Sequence, residues 1–122
     1  MKTILLIEDN HDIRENTTEL LELEGYCVIT APDGRAGINL AKEQNPHIIL
    51  CDIMMPEANG YEVFNEVRNH KDTSHIPFIF FTASVEKKEV EKALGMGVNG
   101  YVRKPFAQEE LFEAIKICID KR

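Results

Sequence analysis

Five short runs of β-forming apolar residues are separated by longer amphipathic stretches, and that strict alternation is what most narrows the folds open to this chain. The runs are Thr3–Ile7, Tyr26–Thr30, His47–Cys51, Phe78–Phe81 and Gly100–Val102. The first, third and fourth are continuously apolar, as in Ile48-Ile49-Leu50-Cys51 and Phe78-Ile79-Phe80-Phe81. Strands covered on both faces read that way, and parallel sheets flanked by helices produce them. The second and fifth runs are weaker, as sheet edges are.

Helical spacing marks the stretches between. Ile13, Thr17, Leu20 and Leu21 share a face, with Asn10 placed as an N-cap and Gly25 as a stop. Ala36, Leu40 and Ala41 mark a second helix between the turn Pro32-Asp33-Gly34 and Pro46. Val63, Phe64 and Val67 mark a third, opened near Gly60. Val90, Ala93, Leu94 and Gly97 mark a fourth, with Ser84 as its cap, and Leu111, Ala114, Ile115, Cys118 and Ile119 a fifth. Strands and helices in strict turn predict an α/β three-layer sandwich with right-handed crossovers, a single domain over residues 1–122.

The net charge of −7 repels nucleic acid and anionic membrane surfaces, so no direct nucleic-acid binding by this chain is expected. No stretch is apolar for long enough to span a bilayer. The run Ile4–Ile7 is too short for a signal peptide, and no small-residue cleavage site follows it, so a cytoplasmic location is expected. Cys27, Cys51 and Cys118 form no CxxC pair and are read as buried hydrophobes in a reducing compartment. His11, His47, His70 and His75 have no ligand spacing and are read as surface or loop residues.

In a parallel α/β sheet, ligands bind beyond the carboxyl ends of the strands. The polar residues that close each run are therefore informative. Run 1 ends in Glu8-Asp9, run 3 in Asp52 and run 4 in Thr82, and Lys104-Pro105 follows run 5. Singly, each reads as a cap or a turn. Together they place three carboxylates on one sheet edge. At ~5 Å and an effective dielectric of ~20, each carboxylate pair costs about 3 kcal/mol before screening. A hard divalent cation relieves that repulsion, and Mg²⁺ prefers a few carboxylates with water and phosphate oxygens. A carboxylate can also accept a phosphoryl group as an acyl phosphate. The charge spread over the transferring oxygens then needs a cation, the Lys104 ammonium, and a donor such as the Thr82 hydroxyl.

The acidic pair Glu8-Asp9, the segment Asp52-Ile53-Met54-Met55-Pro56 with Gly60 beyond it, Thr82-Ala83, and Tyr101-Val102-Arg103-Lys104-Pro105-Phe106 follow one another in order. This set resembles the receiver domains of bacterial two-component response regulators, and the match covers essentially the whole chain. The resemblance implies five parallel strands in order 2-1-3-4-5 with five helices, the flavodoxin-like arrangement. It implies phosphorylation of Asp52 by a sensor histidine kinase or a phosphotransfer protein, with Lys104 and Thr82 at the reacting group. It implies Mg²⁺ held by Asp9, Asp52 and the Met54 backbone carbonyl, with Glu8 acting through water. It implies a switch in which Thr82 and Tyr101 move together and change the surface of the fourth helix, fifth strand and fifth helix. A cis Lys104–Pro105 bond is expected as well. Such a chain is a signalling acceptor rather than an enzyme, and acts on an effector protein or on an output domain beyond Arg122. Ala107 stands where the family often caps the fifth helix with Asp or Ser. Asn99-Gly100 and Ala114 stand where its winged-helix transcription factors carry an acidic pair and an arginine. Met54 and Ser84, each two residues beyond a site residue, are positioned to gate water at the phosphate.

Three other readings fit less well. A haloacid-dehalogenase enzyme would carry its nucleophile on the first strand in a DxD pattern, where this chain has Glu8-Asp9-Asn10. A flavin carrier would need a Ser/Thr/Gly-rich loop where residues 8–12 read Glu-Asp-Asn-His-Asp. A pure interaction domain would have no need of the full set of side chains.

Overall fold

The computed structural model describes residues 1–82, 86–104 and 108–120. Ten elements alternate along the chain. They are β1 (Thr3–Ile7), α1 (His11–Leu23), β2 (Cys27–Ala31), α2 (Gly34–Gln44), β3 (Ile48–Cys51), α3 (Gly60–Asn69), β4 (Phe78–Thr82), α4 (Lys87–Gly95), β5 (Gly100–Arg103) and α5 (Gln108–Asp120). The strands form one sheet in order β2-β1-β3-β4-β5, and every pair is parallel. The weaker runs, β2 and β5, are the edges.

Successive strand residues point to opposite faces, and the core divides accordingly. Leu5, Ile7, Ile49, Cys51, Phe78 and Phe80 pack beneath Ile38, Val63, Phe64 and Ala93, from α2, α3 and α4. Ile4, Leu6, Ile48, Leu50, Ile79 and Phe81 pack against Leu21 of α1 and Leu111, Ile115 and Cys118 of α5. β1, β3 and β4 are covered on both sides, which is why their sequences are apolar throughout.

Helix starts follow side-chain capping. Asn10, Asp33 and Asn59 accept from the N–H groups of Ile13, Ala36 and Glu62, and Glu62 returns the bond to complete a capping box. Gly25, just past α1, has φ +95°, the left-handed turn that a glycine adopts without strain.

Several expectations are corrected. β2 and β3 begin one residue later than predicted, and β4 and β5 end one residue later, at Thr82 and Arg103. Cys27 is exposed, because it starts an edge strand. His47 is half-buried, and its Nδ1 accepts from the Thr3 N–H at 3.0 Å. In α4 only Ala93 is buried; Leu94 is 54 % exposed and Gly97 lies beyond the helix with φ +92°. The N-cap of α4 is Glu86, which makes no side-chain capping bond. Ser84, Ala107 and the Lys104–Pro105 bond lie outside the described residues.

Candidate functional site

The residues that close the strands are pinned by the sheet's own bonding. Glu8, one step past β1, donates its N–H to the Ala31 carbonyl at 3.1 Å. Asp52, one step past β3, donates to Ile7 at 3.0 Å, and Lys104, one step past β5, donates to Thr82 at 2.8 Å. The backbone of each is thus fixed to a neighbouring strand end, and its side chain stands at the sheet's C-terminal edge.

Glu8, Asp9 and Asp52 meet there, with one carboxylate oxygen from each lying within 4.8 Å of the others. It is the one group of three metal-capable acidic or sulfur and imidazole side chains found among the described residues. Glu8 and Asp52 are buried, while Asp9 faces solvent. The Lys104 ammonium bridges the buried pair, bonding Glu8 Oε1 and lying 3.3 Å from Asp52 Oδ2. It also sits 4.5 Å over the centroid of the Phe81 ring, which supports the cation from the sheet side. Partial desolvation, a side-chain hydrogen bond with Glu8 and the Glu8 charge push the Asp9 carboxyl above its ordinary value. Burial, then the charges of Asp52 and Glu8, push the Cys51 thiol up, and it donates to the Asp52 carbonyl at 3.2 Å.

The loop after Asp52 wraps the site. The Met54 N–H donates to Asp52 Oδ1 at 3.3 Å, and the Met54 side chain is 73 % exposed at the mouth. Gly60 donates its N–H to Ile53 at 2.9 Å and brings α3 hard against this loop. A Cβ there would lie 2.5 Å from the Asp52 carbonyl oxygen and 2.7 Å from Ile53 Cα, so only glycine fits. Thr82 is fully buried at the end of β4, tied to Lys104 through its carbonyl. Tyr101 pairs in register with Phe80, half-buried on the face of α3 and α4.

The structure therefore gathers Glu8, Asp9, Asp52 and Lys104, with Thr82 behind them and Tyr101 two residues down the adjoining strand. Three oxygen donors, hard and negatively charged, fit a small divalent cation that retains several waters. Sequence reasoning missed three supporting groups. Arg14 donates to the Glu8 carbonyl, the Asn10 N–H donates to Glu8 Oε2 at 3.1 Å, and Phe81 underlies Lys104.

The response regulator receiver domain family model matches residues 4–116. Response regulator SaeR of Staphylococcus aureus is 38 % identical over 111 residues, covering 91 % of this chain and 47 % of the relative. The chain spans about half the length of the curated relatives it matches. Among solved structures, a receiver domain protein from Clostridium thermocellum is 28 % identical with a TM-score of 0.91, covering 99 % of this chain and 96 % of that one. The receiver domain of a sensor histidine kinase from Pseudomonas aeruginosa is 31 % identical with a TM-score of 0.90, covering 98 % of each chain, and carries a magnesium ion in its active-site cleft. With this fold, this acidic edge and these relatives, the chain belongs to the response regulator receiver domain family.

Proposed function

We propose that Asp52 is the acceptor of a phosphoryl group and that Glu8, Asp9 and Asp52, with the Met54 backbone carbonyl, hold Mg²⁺ beside it. The observation that carries this reading is the acidic trio whose two buried members, Glu8 and Asp52, are bridged by the Lys104 ammonium, with Asp52 at the end of the central strand β3 and 3.3 Å from that ammonium. A carboxylate oxygen of Asp52 attacks phosphorus as the bond to the donor's leaving group breaks, giving an acyl phosphate. Bound at the trio, Mg²⁺ would neutralise carboxylate and phosphoryl charge. Lys104, already within 3.3 Å of Asp52, turns from the carboxylate to a phosphoryl oxygen. Thr82 offers its hydroxyl from the end of β4, and its reorientation with Tyr101 carries the change toward α4, β5 and α5.

On this reading the chain catalyses only its own phosphotransfer and dephosphorylation. Its donor is a sensor histidine kinase or a phosphotransfer protein, and its target an effector protein or an attached output domain. No helix among the described residues is long and apolar enough to cross a membrane, which accords with a cytoplasmic setting.

The test is intact mass after incubation with Mg²⁺ and a small acyl-phosphate donor. Wild type gains one labile phosphoryl group and Asp52→Asn gains none. Equal labelling of Asp52→Asn removes the assignment.

A further inference from the structure

Arg14 lies on α1, away from the strand ends that make the site. Its guanidinium turns back toward the helix start and donates from Nη1 to the Glu8 carbonyl at 2.9 Å. Long helical side chains lean in that direction, but helix stability does not account for what this one does there. The first turn of a helix carries positive partial charge, which disfavours a cation. On α1 the acids Asp12, Glu15, Glu19 and Glu22 all stand off the three- and four-residue offsets from Arg14 at which helical side chains meet. Among the described residues no carboxylate forms an ion pair with Arg14. In a chain of net charge −7, this half-buried guanidinium is committed to a backbone carbonyl instead.

That carbonyl belongs to the peptide joining Glu8 to Asp9. The orientation of its plane sets the direction in which the two carboxylates leave the chain. The flanking groups are held too: the Glu8 N–H by Ala31, and the Asn10 N–H by Glu8 Oε2. Of the peptide leading into the exposed Asp9, the N–H meets Asp9's own carboxylate and the carbonyl is held by Arg14.

We infer that Arg14 is a positioning residue for divalent-cation binding, fixing the Glu8–Asp9 peptide so that both carboxylates face Asp52. The inference rests on reading the acidic trio as a Mg²⁺ site. Groups that orient metal ligands from behind commonly change affinity tenfold or more when removed.

The test is a titration of the metal-free protein with MgCl₂ alone, following Tm, on wild type, Arg14→Met, Arg14→Lys and Arg35→Met. Arg14→Met keeps the apolar stem and loses the donors; Arg35→Met removes an exposed cation on α2 as a charge control. Arg14→Met should need roughly tenfold more Mg²⁺ for the same rise in Tm. Arg14→Lys should recover most of the loss, and Arg35→Met should match wild type. Comparing Mg²⁺ midpoints, rather than starting Tm values, separates positioning from ordinary stability. In labelling by an acyl-phosphate donor, the Arg14→Met defect should be marked at low Mg²⁺ and vanish at saturation. An equal or lower Mg²⁺ midpoint in Arg14→Met overturns the inference, as does a labelling defect that saturating Mg²⁺ leaves in place. If wild type itself shows no Mg²⁺ response, the metal reading of the trio fails; if wild type responds and Arg14→Met responds equally, only the role of Arg14 fails.

Discussion

A single ammonium joins the two buried carboxylates of the site, and on the proposed reading it is also the group that would meet the phosphoryl oxygens. Lys104 makes both contacts from a side chain that is only 12 % exposed, with its ammonium over the Phe81 ring. Lys104→Met keeps much of the length and apolar stem and deletes the charge. The variant is expected to fold and to bind Mg²⁺, since the three carboxylates remain. Its labelling at Asp52 should slow by roughly a hundredfold, the usual consequence of losing one donor aimed at developing negative charge. Labelling kinetics at saturating Mg²⁺ decide the point: a wild-type rate would make Lys104 only a turn residue. At this scale the sequence is legible where a polar residue ends an apolar run, because such a residue stands out against its neighbours; Asp52, Thr82 and the pair Glu8-Asp9 are all of this kind. Phe81 and Arg14 are not. Phe81 reads as core, which it also is, and Arg14 acts through a backbone carbonyl, a contact that leaves no residue-type signature.

Elements position the site through close approach, and two glycines make the contrast measurable. Gly60 lets α3 touch the loop behind Asp52, whereas a Cβ at Gly95, the last residue of α4, would meet nothing within 4 Å. Gly60→Ala should destabilise by about 1–3 kcal/mol through overpacking against backbone that cannot yield. It should also slow labelling by displacing Asp52. Gly95→Ala should instead raise stability by up to about 1 kcal/mol, through the narrower freedom of the unfolded chain. Paired urea unfolding curves test this, and an equal effect at both positions would deny Gly60 its special role. A second contact joins α3 to α4. The Tyr61 hydroxyl donates to the Glu89 carboxylate, the Lys92 ammonium lies 4.1 Å over the Tyr61 ring, and that ring meets Phe80 edge-on at 5.5 Å. Burial first, then the bond to Glu89 and its charge, push the Tyr61 phenol above its ordinary value of 10. Because the folded-state value is raised, the stability this bond contributes is present below pH ~10 and is lost as pH rises through the folded value. Tyr61→Phe should therefore be about 1 kcal/mol less stable at neutral pH, and the gap should close in alkali. A gap that holds constant with pH would show that the bond to Glu89 is not its source. Neither contact was legible beforehand. α4 is short and mostly exposed, so of the residues whose spacing marked it, Val90, Ala93, Leu94 and Gly97, only Ala93 is buried.

Across the whole molecule, alternation of strand and helix was enough for the layered α/β architecture, since continuously apolar runs have few other homes than a doubly covered parallel sheet. The strand order came from the likeness of the motifs to a family, because periodicity does not say which strands are neighbours. Strand ends slipped by one residue because sheet bonds continue to the polar residues that close them, such as the bond from Lys104 to Thr82. Those same bonds hold three carboxylates together in a chain whose net charge is −7. Lys104 compensates the two buried ones, while desolvation first, and then the bond to Glu8 and its charge, hold the Asp9 carboxyl above its ordinary value. A divalent cation among the three would relieve the repulsion between them. A ligand that binds only the folded state stabilises it by RT ln(1 + [L]/Kd), about 2.7 kcal/mol at one hundred times Kd. For a domain of this size that is a Tm rise on the order of 10 °C. Screening alone would also ease the repulsion, so the comparison is made against a monovalent salt at matched ionic strength. Mg²⁺ should raise Tm well beyond that control in wild type, and Asp9→Ala should lose most of the excess. The Asp9→Ala protein should itself melt close to wild type without metal, because the repelling charge it loses offsets the lost side-chain hydrogen bond with Glu8. An Mg²⁺ response of full size in Asp9→Ala would show that the cation acts on the general acidic field and not at the edge of the sheet.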